Sequence, residues 1–286
     1  MTGHLTAPAA ALADQLPSWA TLVRAPNPGP MTLDGTNTWL LRAPGQEHAV
    51  VIDPGPADEE HLAEIARSGP VGLILITHGH FDHVEGARRC SELLGDIPVR
   101  AVDPAHCVDG VPLCPEADLN GFGLDIELLD TPGHTADSVC FLIGAAGQQA
   151  VFTGDTILGR GTTVVAWPDG DLGDYLASLS TLTAYEGIPA LPGHGPALAD
   201  CAAAARFYLA HRQARLDQVR QAVAQGAATA AEVVARVYAD VDRALWPAAE
   251  WSVQAQLAYL GQQSGAPQSA HRNRESDPGS GGLETP

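Results

Sequence analysis

Lysine is absent from this 286-residue chain; all fifteen basic side chains are arginine. Schiff-base amines, P-loop lysines and Ser–Lys pairs are thereby excluded. No apolar run approaches the ~20 residues that a membrane-spanning helix needs. The first twenty residues carry no Lys or Arg of the kind that opens a secretory signal. A soluble, cytoplasmic protein that does not engage a membrane is expected. Cysteine is scarce as well. Cys90, Cys107, Cys114, Cys140 and Cys201 are odd in number and form no C-x-x-C pair. That argues against both a disulfide framework and a cysteine-based zinc site. Positive charge is also short: 34 acidic against 15 basic residues give a formal charge of −19. The deficit is uneven, with 25 carboxylates against 7 arginines in residues 1–196 and 9 against 8 in residues 197–286. An acidic surface repels polyanions at long range, so a nucleic-acid ligand would need a local basic patch.

What is present suits a large core, since 45% of the residues are hydrophobic. The length fits one large domain with a smaller appendage. Short apolar runs punctuated by Gly, Pro and Asp predict strands at 37–42, 49–53, 71–77, 98–102, 125–130, 138–143, 150–153 and 188–191. Helical patterns fall between some of them, at 58–67, 84–94 and 171–182, so a layered α/β domain is expected. After residue 196 the texture changes. Leu198, Ala205, Leu209, Arg212, Leu216, Val219 and Val223 recur at helical spacings and mark one long amphipathic helix. Thr229 is a plausible N-cap for a helix over 230–239, and a further helix follows Pro247, over 249–260. From residue 261 apolar content nearly vanishes, and a disordered tail is expected.

The chemistry concentrates in Thr77-His78-Gly79-His80-Phe81-Asp82-His83, directly after an apolar strand. Four ligating side chains in six residues, with glycine between the first two, suit a loop curling around a cation. Imidazole with carboxylate favours zinc or another first-row metal over calcium or magnesium. Three more polar residues sit at the ends of predicted strands: His134 in Thr-Pro-Gly-His-Thr, Asp155 in Thr-Gly-Asp and His194 in Pro-Gly-His-Gly. Adjacent glycines allow backbone to approach a buried ion.

In this order, His-x-His-x-Asp-His, Gly-His-Thr, Thr-Gly-Asp and Gly-His-Gly resemble the metallo-β-lactamase superfamily. The resemblance implies an α/β fold, a four-layer αββα sandwich with its metals at the strand ends. It also implies that His78, His80 and His134 hold one metal, while Asp82, His83 and His194 hold the other and Asp155 bridges them. Asp53, in Val-Ile-Asp-Pro-Gly, resembles the Asp that supports the His-rich loop. Two Zn²⁺ per chain are expected, with Fe or Mn as alternatives. The segments 25–41, 153–164 and 208–215 look like the β-lactamase-like protein 2 group, in which a small winged-helix-like domain follows the sandwich. Here no apolar strand pair follows Leu260 to build a wing. The resulting division is an N-terminal extension over 1–17, a catalytic domain over 18–196, a helical domain over 197–260 and a tail over 261–286. β-Lactamases proper lack Asp at the position of Asp155 and are exported, so antibiotic hydrolysis is not expected.

The resemblance implies a hydrolase whose nucleophile is a hydroxide bridging two metals, with Asp82 as ligand and proton acceptor. The favoured substrate is a small anionic ester or thioester, as for glyoxalase II and its relatives. Single-stranded RNA is the alternative, and a mononuclear-iron sulfur dioxygenase a third reading. A homodimer stays open. Among the basic residues, Arg212 falls on the apolar stripe of the long helix, and His211 and Arg215 lie on an adjoining face. Two readings of this trio stand: a clamp for a substrate anion, or an ion pair between the domains.

Overall fold

The computed structural model describes residues 16–165 and 167–263. Two sheets are stacked face to face. The first has five strands in the order β1 (Ala20–Arg24), β2 (Asn37–Leu41), β3 (Ala49–Ile52), β4 (Val71–Leu75) and β5 (Val99–Arg100). β2 is antiparallel to both β1 and β3, and β3, β4 and β5 run parallel. The second sheet holds β6 (Asp125–Asp130), β7 (Val139–Ala145), β8 (Gln148–Gly154) and β9 (Ala190–Pro192). It is antiparallel except for the parallel pair β8–β9.

Period-2 alternation divides the apolar residues between layers. Val50, Ile52, Leu73 and Leu75 point inward and meet Phe141, Ile143, Phe152 and Leu191 of the other sheet. Val51, Ile74 and Ile76 point outward onto Leu62, Ile65 and Cys90 from α1 (Glu59–Arg67) and α3 (Ala87–Leu93), with the short α2 (Phe81–Val84) between these helices in the chain. On the opposite side, Cys140 and Val151 pack on Tyr175, Leu179, Cys201 and Tyr208 of α4 (Leu172–Leu182) and α5 (Cys201–Ala224). Central strands buried on both faces read as continuous apolar runs, which explains why β3 and β4 stand out in the sequence. The result is the expected helix–sheet–sheet–helix stack.

Beyond α5 lie α6 (Ala230–Val237), a short 3₁₀ turn (Arg243–Leu245) and α7 (Trp246–Gln263). Val219 and Ala222 of α5 join Val233, Val234, Ala249 and Val253 in a core of their own. Thr229 caps α6 as expected, its side chain accepting from the Glu232 amide. No strand follows β9 among the described residues, so the helical part carries no wing there.

Several expectations need correction. β1 is missing from the sequence reading because its five residues show no clean alternation; it exists through pairing with β2. β5 is only two residues long, since only Ile74 and Leu75 offer it partners. β8 starts at Gln148, where exposed glutamines extend the pairing with β7. α7 begins at Trp246 and not at 249, because proline in the first turn is compatible with a helix. It also runs three residues into the expected tail, where the Gln263 amide bonds the Tyr259 hydroxyl. Val223 leaves the stripe and is exposed, with Ala222 taking the buried position. The remaining tail, 264–286, and residues 1–15 of the N-terminal extension lie outside the described residues.

Candidate metal centre

The two sheets are joined along one edge by hydrogen bonds from Val139 N to Thr77 O (2.9 Å) and from Asn37 N to Gly193 O (2.7 Å). That edge gathers the end of β3 with Asp53, the His-rich loop after β4, the β6–β7 turn with His134, Asp155 after β8 and His194 after β9. The seven residues expected as ligands come together there in two groups. His78, His80, His134 and Asp155 form one, and Asp82, His83 and His194 the other.

In the first group His80 Nδ1 lies 3.0 Å from both His78 Nε2 and His134 Nε2. In the second, His83 Nε2 is 3.2 Å from His194 Nε2, which is 3.1 Å from Asp82 Oδ2. Asp155 sits between the groups: Oδ1 is 3.6 Å from His83 Nε2, and Oδ2 is 3.5 Å from His194 Nε2 and 3.8 Å from His134 Nε2. One lone pair or one proton on His80 Nδ1 cannot serve two neighbours well, whereas a shared cation serves all three. Tetrahedral bonds of about 2.0–2.1 Å would set ligand nitrogens roughly 3.3 Å apart. Asp155 Oδ1 is buried without a hydrogen-bond partner, an orphan acceptor aimed into the centre. The donor set therefore fits a pair of first-row cations.

Most of the imidazoles are held from behind. His83 Nδ1 meets Asp53 Oδ2 at 2.8 Å, and Asp53 also accepts from Thr77 N and Thr77 Oγ1. His134 Nδ1 meets the Val164 carbonyl, His194 Nδ1 the Gly35 carbonyl and His78 Nδ1 the Thr77 hydroxyl. Such partners fix ring orientation and the nitrogen left for a metal. Asp53 thus lies where the sequence places it. Thr36, which donates to Asp82 Oδ2, and Thr163, which donates to the Asp155 carbonyl, escaped the sequence reading, as did the supporting carbonyls. A carbonyl has no side-chain identity, so no sequence signal could have found those.

Burial drives His78 and His134 toward the neutral form, His134 down to about 4, and His80 moves the same way. The second group behaves differently. Burial opposes protonation of His83, but Asp53, Asp82 and Asp155 outweigh it and raise the ring to about 10. His194 is raised as well, burial being overcome by Asp155 and Asp82. Burial disfavours ionised Asp82, yet His83 and His194 hold it below the usual carboxylate range. One half offers free lone pairs; the other offers negative charge wanting a counter-cation.

Gly193 forms the back wall. A Cβ there would stand 2.7 Å from both Asp155 Oδ1 and His83 Cε1. Gly193→Ala is expected to weaken metal retention about tenfold or more, the scale of losses on disturbing supports of metal ligands. Metal analysis after dialysis checks this; undiminished content would show that the wall yields.

The trio on α5 faces the same space. His211, Arg212 and Arg215 line one cavity together with His80, Asp82, His134, Asp155 and His194. Arg212 is buried, as the stripe requires, and its Nη2 donates to the Thr163 carbonyl. The ion pair between the domains is not found: among the described residues no carboxylate lies within 4.0 Å of Arg212 or Arg215.

An αββα sandwich with a histidine–aspartate centre at one edge defines a class of metal-dependent enzymes. The family model described as the metallo-beta-lactamase superfamily matches residues 31–194, and the chain belongs to that superfamily. A second model, the beta-lactamase associated winged helix domain, matches residues 229–264. The chain is 31% identical over 257 residues to the "Beta-lactamase-like protein 2 homolog" of Drosophila melanogaster, covering 82% of this chain and 85% of that protein. It is 32% identical over 237 residues to the "Atrochrysone carboxyl ACP thioesterase" of Aspergillus fumigatus, covering 74% and 71%. A beta-lactamase domain protein from Burkholderia ambifaria shares the fold with a TM-score of 0.73 at 22% identity, over 87% of each chain.

Proposed function

We propose that the chain hydrolyses a small ester or thioester using two divalent first-row ions, zinc foremost, with iron or manganese as alternatives. His78, His80, His134 and Asp155 would hold one ion, and Asp82, His83 and His194 the other, with Asp155 shared. A sulfur dioxygenase with a single iron would need one group only, whereas two groups able to hold an ion are gathered here. The observation that carries the reading is the cavity of about 350 Å³. Its lining joins His80, Asp82, His134, Asp155 and His194 of the centre to Val241, Leu245, Ala248 and Ala249 from the helical part. This volume and mixed lining suit a small molecule with an apolar portion. The thioesterase relative supports the same substrate class.

When bound, such ions supply a nucleophilic water at neutral pH and a Lewis acid for the scissile carbonyl. The protein's residues do the rest. Asp82 lines the cavity and would accept the proton released by the attacking water. Thr36 and His194 fix its Oδ2, and Asp53 orients His83 behind it. Ala248, Ala249 and Ser252 of the last helix line the same cavity and would limit the access of bulk water to an acyl group.

RNA hydrolysis is the second reading, favoured by the winged-helix match. The distribution of cations opposes it. Arg206 pairs with Glu186 and Arg220 with Asp217, while Arg212 is buried, so α5 presents no continuous basic groove. The test compares hydrolysis of a butyryl thioester of N-acetylcysteamine with cleavage of single-stranded RNA between 50 and 200 mM salt. Thioester turnover is expected to dominate and to change by less than about twofold. RNA turnover that is faster, and that falls on the order of a thousandfold across that range, would overturn the proposal.

A further inference from the structure

The cavity has a second polar region that the chemistry above does not use. Arg212 is 3% exposed and every partner of its guanidinium is neutral: the Thr163 carbonyl and Tyr175, whose ring centroid lies 5.2 Å from Cζ. Its Nε is buried without a hydrogen-bond partner. Arg215, one turn on, stands 4.2 Å over the Tyr238 ring and donates to the Val237 carbonyl and to Gln218. Beside them His211 has a buried, unpartnered Nδ1, and burial with the two arginines pushes it down to about 4. A buried cation without a counter-charge is costly, and proteins keep one where a partner arrives. The carboxylates on the cavity wall, Asp82 and Asp155, are engaged with the histidines of the centre.

We infer that Arg212, with Arg215 and His211, forms a subsite for an anionic group of the substrate, a carboxylate or a phosphate. Arginine suits such a group because its planar fork of donors matches two oxygens at once. The placement relative to the reacting bond follows from one segment. The Thr163 carbonyl receives Arg212, and the next carbonyl, Val164, receives His134. The anion and the scissile bond therefore share one cavity, whose lining residues 163 and 164 touch both Arg212 and His134. The apolar part of the lining takes the remainder of the molecule. The anion belongs either to the acyl group, as in the monothioester of a dicarboxylic acid, or to the leaving group, as in a phosphopantetheine thioester. The role of the subsite in turnover rests on the hydrolase reading; its existence does not, so binding is measured separately.

Calorimetric titration of metal-loaded protein with glutarate and with inorganic phosphate tests it. Ions in the centre contribute equally in wild type and variants, so differences report the arginines. Arg212→Gln is expected to weaken binding of at least one anion about ten- to a hundredfold at unchanged metal content, and Arg212→Lys to recover part. Should the Arg212 variants fail to fold, Arg215→Gln carries the same expectation on a less buried residue. Equal affinities of wild type and variants for both anions would overturn the subsite. Turnover then locates the anion. A preference for succinyl over butyryl N-acetylcysteamine thioester, lost in the variant, places it on the acyl group. A preference for acetyl-4′-phosphopantetheine over acetyl-pantetheine, lost likewise, places it on the leaving group. Differential anion binding without turnover of any of the four thioesters would keep the subsite and overturn thioester hydrolysis.

Discussion

Replacing Asp155 by alanine should empty both halves of the centre together and lower turnover by more than about a hundredfold. Loss of a residue behind a ligand already costs ten- to a hundredfold in affinity, and loss of a shared ligand exceeds that. The carboxylate has oxygens 3.5–3.8 Å from His83, His194 and His134, which belong to different groups. Among the described residues no other carboxylate lies within 4.0 Å of histidines from both groups. His80→Ala, by contrast, removes a ligand from one group only, so metal content should fall more gradually. Metal analysis of the two variants, with thioester hydrolysis measured on the same samples, checks the contrast. An Asp155→Ala protein that retained two ions and full activity would remove the bridge, and with it the two-ion reading.

The candidate ligands were legible because they are concentrated: four of the seven lie between His78 and His83, and the others occupy short glycine-flanked motifs. The layers were legible for a related reason. Strands β3 and β4, buried on both faces, leave unbroken apolar runs. Illegibility has its own physical causes. β1 is specified by its partner across the sheet, and Pro247 disguises the start of α7 by sitting where a helix tolerates it. Thr36 reaches Asp82 from 46 residues away and Thr163 returns to Asp155 from the loop after it, and threonine is too common to mark a site. Arg212 is the instructive case. Its place on an apolar stripe announced burial, but whether a carboxylate waits across the interface depends on chain packing that no local pattern encodes. Among the described residues none lies within 4.0 Å, and that unanswered charge is why an anion subsite is proposed there.

Removing the ions should lower the melting temperature by roughly 8–16 °C for each well-bound ion. The magnitude follows from linkage. A ligand at about a thousand times its dissociation constant stabilises the native state by about 4 kcal/mol, and a domain of some 150–250 residues shifts by about 2–4 °C per kcal/mol. The geometry says why the native state alone benefits. Imidazole nitrogens 3.0–3.2 Å apart, drawn from the loop after β4, the β6–β7 turn and the end of β9, converge only when both sheets are assembled. Without cations the first group sets lone pair against lone pair, the second crowds two imidazoles of raised pKa together, and Asp155 Oδ1 stays buried without a hydrogen-bond partner. Bound ions would therefore fasten the two sheets along the edge where Asn37, Trp39 and Val139 already make hydrogen bonds between them. Thermal unfolding with and without a chelator, repeated after adding back zinc, iron or manganese, measures the effect and ranks the metals. The Asp155→Ala variant should lose most of this response. A wild-type melting temperature indifferent to both chelator and metal would mean that the centre binds no ion tightly, and hydrolysis would then need another source of its nucleophile.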